Sequence, residues 1–286
     1  MTRHPHFQIR VSRFCQGGRV AFFLLLCAIP MTAGALQWAG AVSVSVAAFR
    51  YQERDEANRL LDEEEGGLPG IGLKLDAMGT EGWFGGAEFR YRDDAVDYRA
   101  PMSSSEELKS TTHERIRSFS ISLGRHFELD RRASYLDLYG GLGVREWRRA
   151  IDSVGTIFGL QERYEWAYAT LGVRSGRRLS DRDDLVVDLC VRRPFDTSLD
   201  VNFLNGVDDP VRLSLRGGVG FRLSLVWQRE VGDALSMHAG PVIDYWRFDR
   251  SQDVPLTRNG EVVGAVVEPA STTLEAGIVV EIRQRW

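Results

Sequence analysis

The chain has 286 residues, a formal net charge of -4, 43% hydrophobic and 27% charged residues. That length fits one or two soluble domains, or one barrel of roughly 200–250 residues. The only long apolar run lies near the N-terminus, which excludes a polytopic helical membrane protein. The acidic balance speaks against nucleic acid as a partner, and 29 glycines with 9 prolines fit neither a collagen-like nor a disordered chain.

Residues 1–35 read as a signal peptide. Arg3, Arg10, Arg13 and Arg19 form a basic region, Val20–Pro30 an apolar stretch, and Ala33-Gly34-Ala35 a cleavage site. The run is too short, and too soon broken by Pro30, for a membrane anchor. Leu26 before Cys27 does not suit a lipoprotein signal. Cleavage after Ala35 removes four arginines and no acid, taking the formal charge from -4 to -8. It leaves 251 residues, 36–286, as the expected single domain, with Cys190 as its sole cysteine and no intramolecular disulfide.

From Gln37 onward the pattern has period two. Ten segments alternate: 38–52, 69–78, 83–98, 114–128, 134–149, 162–177, 184–193, 211–229, 235–248 and 272–286. An unclear parity over Tyr164–Arg177 leaves eight or twelve open. In the longest segment Val211, Leu213, Leu215, Val219, Phe221, Leu223, Leu225 and Trp227 are assigned to one face. Short turns (79–82, 129–133, 179–183, 230–234) alternate with long polar loops (53–68, 99–113, 150–161, 194–210, 249–271). An even number of long strands with both ends at the short turns predicts an all-β, antiparallel, up-and-down transmembrane barrel. Its first and last strands must pair, because hydrocarbon tolerates no open sheet edge. Tryptophans near strand ends are expected at the two membrane interfaces: Trp38, Trp83, Trp227 and Trp286 at the short-turn side, and Trp147, Trp166 and Trp246 toward the long loops.

At the last strand the chain resembles Gram-negative outer-membrane β-barrel proteins. Glu275-Ala-Gly277-Ile-Val-Val280-Glu-Ile282, followed by a terminal aromatic, Trp286, is similar to their C-terminal recognition segment. The polar Arg283-Gln284-Arg285 departs from that pattern. The resemblance covers 36–286 as architecture, like that of small barrels without an assigned activity. It implies export to the outer membrane, recognition by the barrel-assembly machinery, and contact with outer-membrane lipid and lipopolysaccharide.

The polar face supplies lumen-lining candidates: Glu88, Arg90, Arg92, Asp137, Arg145, Asp188, Arg192, Arg212, Arg216, Arg222, Asp244, Glu281 and Arg283. They form either neutralising pairs that fill a narrow interior or the wall of a porin-like, charge-selective path. The acidic run Glu53–Glu65 reads either as a solvated loop tip or as a site for cations bridging lipopolysaccharide phosphates. Arginine far outnumbers the two lysines, Lys74 and Lys109, and suits bidentate contact with lipid phosphates.

No catalytic residue, metal ligand set or cofactor is assigned. An outer-membrane hydrolase remains one alternative, since ten-stranded barrels include the omptin proteases with Asp and His at the outer rim. His113, His126 and His238 are the only histidines after residue 35. Ser236 and His238 share a face as a lipid hydrolase requires, but the sequence places no third residue beside them. The other alternative is a surface adhesin or assembly partner.

Overall fold

The computed structural model describes residues 36–102, 106–130 and 134–286. The expected signal peptide lies outside the described residues. Strands β1 (Gln37–Arg54), β2 (Leu60–Met78), β3 (Trp83–Pro101), β4 (Glu107–Asp130), β5 (Ser134–Ile151), β6 (Leu160–Arg178) and β7 (Asp183–Phe203) follow one another as antiparallel neighbours. The eighth wall position is shared by β8 (Val211–Ser214) and β9 (Arg216–Glu230), interrupted at Leu215; β10 (Leu235–Asp249) pairs with β9. A hairpin, β11 (Val254–Arg258) and β12 (Glu261–Val266), precedes the last strand, β13 (Ala270–Arg285). β13 pairs with β10 on one side and β1 on the other, so the wall closes as a ten-stranded barrel.

The outer wall explains the alternation. Val42, Val44 and Val46 on β1 face outward and are exposed, as are Ile71, Leu73 and Leu75 on β2 and Ile278, Val280 and Ile282 on β13. An apolar belt continues round the barrel through Val187, Leu189, Val191, Phe221, Leu223 and Leu225. In a soluble protein such a belt would be an aggregation surface; against hydrocarbon it is the favoured surface.

The strands are longer than a membrane requires. β4 runs 24 residues and β7 runs 21, where about 9–11 cross the bilayer. The excess rises at the long-loop end, so the connections there are shorter than the sequence suggests. The acidic run is one consequence. Glu53 lies in β1, Glu63–Glu65 lie in β2, and the turn spans only residues 55–59, with Asn58 at φ 62°. Above the belt the interior holds an apolar and aromatic core that includes Phe49, Tyr51, Leu68, Trp147, Tyr164, Trp166, Leu199, Leu213 and Trp246.

One strand changes face midway. Val211, Leu213 and Leu215 point inward and are buried, whereas Val219, Phe221, Leu223 and Leu225 point outward. The shift occurs at Gly217 (φ 62°) and Gly218 (φ 101°), where the pairing of β9 with β10 jumps between Arg247 and Asp249. Both glycines occupy the left-handed region, which side chains rarely adopt, and together they absorb the bulge.

Candidate functional site

The lumen divides into an upper filled section, a middle ion-pair layer and a lower vestibule. The upper section surrounds Arg149, which is 1% exposed. Its guanidinium donates to Glu162 at 2.7 Å, Glu64 at 2.8 Å and the Tyr164 hydroxyl at 3.1 Å, and stacks 4.1 Å from the Tyr51 ring centroid. Glu53 lies 3.5 Å away and Glu114 3.8 Å. Thr112 donates to Glu64 at 2.7 Å, Trp147 donates to Glu114, and Tyr51 and Tyr164 donate to Glu268 at 3.1 and 2.8 Å.

Carboxylates here outnumber their cation, and their acidities shift accordingly. Burial, then the neighbouring acids, push Asp62 up to about 8. Burial likewise carries Glu162 to about 7, against the pull of Arg149. Glu114 and Glu268 are driven well above the ordinary carboxylate value by burial and by adjacent acids. Burial also opposes ionisation of Glu64, but the charge of Arg149 together with hydrogen bonds from Glu114, Arg149 and Thr112 holds that carboxyl below its ordinary value.

The middle layer brings most of the sequence candidates together. Arg192 donates to Asp244 at 2.6 Å, and Arg90 reaches the same carboxylate at 3.4 Å. Arg92 and Arg145 both donate to Glu275. Glu88 lies 3.5 Å from Arg90 and 3.5 Å from Arg222. Arg192 sits 4.1 Å from the Trp246 ring centroid, and Trp166 packs edge-on to Trp246 at 5.3 Å. Arg92, Arg145, Arg192, Asp244 and Glu275 are all 7% exposed or less. Pairing on both sides offsets the cost of removing these charges from water.

Below this layer a cavity of about 500 Å³ opens at the short-turn end. Arg174 bridges Asp188 at 2.8 Å and Asp137 at 3.6 Å, and Asp137 also bonds His126 at 2.7 Å. Tyr139 donates to Asp188 at 2.5 Å. Arg283 pairs with Asp76 at 2.8 Å. Ser236 Oγ lies 2.9 Å from His238 Nε2, and His238 Nδ1 lies 3.2 Å from Glu281 Oε1. Cys190 lines this cavity as a free thiol.

Two candidates stand elsewhere. Arg212 and Arg216 are on the exposed outer face, Arg212 with Asp200 at 3.4 Å. The glycine bulge puts their apolar neighbours inside instead. The tryptophans also divide. Trp38, Trp83 and Trp286 are exposed at the short-turn end, and Trp227 donates to Asp183 there at 3.1 Å. Trp147, Trp166 and Trp246 do not form an outer girdle: they are 1–3% exposed inside the barrel. Each follows its strand's parity, Trp147 with inward Arg145 and Trp246 with inward Asp244. In the C-terminal segment Glu275 faces the lumen, whereas Val280, Ile282 and Trp286 face outward. Gly277 is packed so closely that an added Cβ would lie 2.0 Å from the Val46 carbonyl oxygen. Sequence reasoning missed Arg149, Glu64, Glu114, Glu162 and Glu268 as interior groups. Among the described residues no group of three or more His, Cys, Asp or Glu side chains is arranged to hold a metal ion.

No protein-family model matches the chain, and no curated protein matches it. Solved structures do. The outer membrane protease OmpT from Escherichia coli is similar over 87% of this chain and 97% of its own, with a TM-score of 0.66 and 9% sequence identity. This is a Gram-negative outer-membrane β-barrel fold. The β domain of the Bordetella autotransporter BrkA covers 86% of this chain and 98% of its own (TM-score 0.40, 11% identity). A major outer membrane protein from Thermus thermophilus matches 86% and 99% (TM-score 0.37, 13% identity). At 9% identity the likeness to OmpT is one of fold alone, and it fits an integral outer-membrane barrel in contact with lipid. The single histidine near the long-loop end, His113, points outward and lies 3.6 Å from Asp152, both well exposed. It takes no part in the interior network.

Proposed function

We propose that the protein is a closed, non-conducting outer-membrane barrel whose strand extensions form a rigid, charged scaffold at the cell surface. The observation that carries this reading is the continuous packing across the lumen. Arg92, Arg145 and Arg192 are tied to Asp244 and Glu275, with Trp166, Trp246 and Phe248 beside them and the Arg149 cluster above. A pore needs a wetted path with charges facing it, whereas these charges face one another. The test is planar-bilayer recording on the refolded barrel. No unitary current is expected between neutral and mildly acidic pH; a steady ohmic conductance from folded protein would overturn the reading.

The remaining expectations belong to the same proposal. The chain is exported by a signal peptide cleaved after Ala35, and the Glu275–Trp286 segment is read by the barrel-assembly machinery. The position of that segment at the closing seam supports this. Lipopolysaccharide is the expected neighbour in the outer leaflet. Arg115, Arg148 and Arg163 are register partners on β4, β5 and β6 and face outward directly above the apolar belt. They are paired with Asp93 at 2.5 Å and with Glu146 at 3.0 and 2.8 Å. Guanidinium groups in a row at that height suit bidentate contact with lipid phosphates. Replacing all three with glutamine should weaken copurification of lipopolysaccharide with the detergent-extracted barrel; unchanged retention would remove this contact.

A further inference from the structure

The strongest unassigned chemistry lies at the short-turn mouth of the vestibule. β10 places Ser236 and His238 two residues apart, so both side chains enter the lumen from one face. β13 brings Glu281 opposite His238 and Arg283 opposite Ser236 in the Cα register. The Ser236 Oγ to His238 Nε2 distance is 2.9 Å, and the His238 Nδ1 to Glu281 Oε1 distance is 3.2 Å. Ser236 and His238 are 8% and 7% exposed, yet both line the cavity, together with Glu281, Gln228, Lys74 and Arg283.

We propose that Ser236, His238 and Glu281 form a serine-hydrolase site that cleaves short-chain carboxylic esters entering from the short-turn face. The roles follow from the geometry. The Glu281 carboxylate accepts a hydrogen bond from His238 Nδ1–H, which fixes the tautomer and leaves the Nε2 lone pair toward Ser236. Oγ attacks the ester carbonyl carbon while its proton passes to Nε2. The acyl C–O bond then breaks, and the Nε2 proton leaves with the alcohol. Water attacks the acyl-serine, gives one proton to Nε2, and releases the carboxylic acid; that proton returns to Oγ. Negative charge on the tetrahedral oxygen is met by Arg283 or Gln228, the side-chain donors on the neighbouring strands.

The substrate class has two structural grounds. Backbone N–H groups around Ser236 are committed to the sheet, so no backbone nest supplies an oxyanion hole, and a good leaving group is favoured over an amide. The residues in register with Ser236 and His238 on the flanking strands are all polar, Arg283 and Glu281 on β13 and Glu230 and Gln228 on β9, which suits a small acyl group better than a long lipid chain.

The test uses the refolded full-length barrel in detergent, with 4-nitrophenyl butyrate as substrate and a fluorophosphonate as covalent probe. Folding is checked by heat-modifiable gel mobility for every variant. The expected result is a fluorophosphonate adduct mapped to Ser236 and hydrolysis that falls to the detergent blank in Ser236→Ala. Glu281→Gln, which keeps the side-chain shape, should lower kcat/KM by on the order of 10²–10⁴-fold. Folded wild-type protein that leaves Ser236 unmodified and turns over ester no faster than Ser236→Ala would overturn the proposal. Bilayer conductance is indifferent to this outcome, so the closed-barrel reading stands or falls separately.

Discussion

At the scale of single residues the decisive group is Arg149. It is the cation in contact with Glu53, Glu64, Glu114 and Glu162 within a fully buried cluster. Replacing it with methionine keeps much of the volume and strands those carboxylates. The expected cost is roughly 3–5 kcal/mol, the range for removing one partner of a buried ionic group; urea unfolding of the refolded barrel measures it. The same cluster sets a pH dependence. Asp62 and Glu162 have folded-state values raised to about 8 and about 7, above an unfolded carboxylate value of about 4. Their contribution is complete at acidic pH and is lost as pH climbs through roughly 4 to 8. Hydrogen exchange in the upper strands, corrected for intrinsic rate, should therefore show greater protection at pH 5 than at pH 9. Protection that rises with pH would contradict this origin. Arg149 was within reach of the sequence: period two carries inward Arg145 to Trp147 and then to Arg149. It was lost because Trp147, between them on the same face, was expected at the outer membrane interface, which broke the inward run one step before Arg149.

At the scale of elements, the bulge between β8 and β9 converts an apparently continuous alternation into two opposed halves. Alanine at Gly217 or Gly218 should cost about 1–2 kcal/mol each for the left-handed backbone alone. Both substitutions carry a further clash, since the Cβ would fall 1.9 Å from Asp249 Oδ2 at Gly217 and 2.6 Å from the Pro194 Cγ at Gly218. Gly264, in the β11–β12 hairpin, has nothing within 4 Å of a built Cβ. Its alanine variant should stay within about 0.5 kcal/mol of the parent. Thermal unfolding of the three variants checks the ordering. Two adjacent glycines inside a strand pattern were the legible sign of this break. The alternation on either side is so regular that it masked the change of face, which moved Arg212 and Arg216 to the exterior.

For the whole molecule, the bilayer decides what a sequence reveals. Within the belt, hydrocarbon outside and charge inside enforce a strong contrast, so ten alternating segments and their short turns could be located. Above the belt the outer face meets water. On β1 the outward residues become Arg50, Gln52 and Arg54 while the inward ones are Phe49, Tyr51 and Glu53. Polar and apolar groups then occur on both faces, and strand continuation resembles loop. The tryptophans offer a direct check. In lipid vesicles carrying brominated acyl chains, single-tryptophan variants retaining Trp83 or Trp286 should be strongly quenched. Those retaining Trp147, Trp166 or Trp246 should be nearly unaffected, and equal quenching of all five would contradict their interior placement.

The seam of the cylinder joins the chain's earliest and latest strands, with Ala39 opposite Arg285 and reciprocal hydrogen bonds between Trp38 and Trp286. Pairings separated by almost the whole sequence are slow to form, because a long loop must lose its freedom before any bond compensates. Until β13 arrives, β1 and β10 each expose a bare row of amides and carbonyls, ready to pair with another copy. A chain shortened from its C-terminal end therefore has no half-finished resting state in lipid. It must be held by a partner strand, degraded, or lost to aggregation.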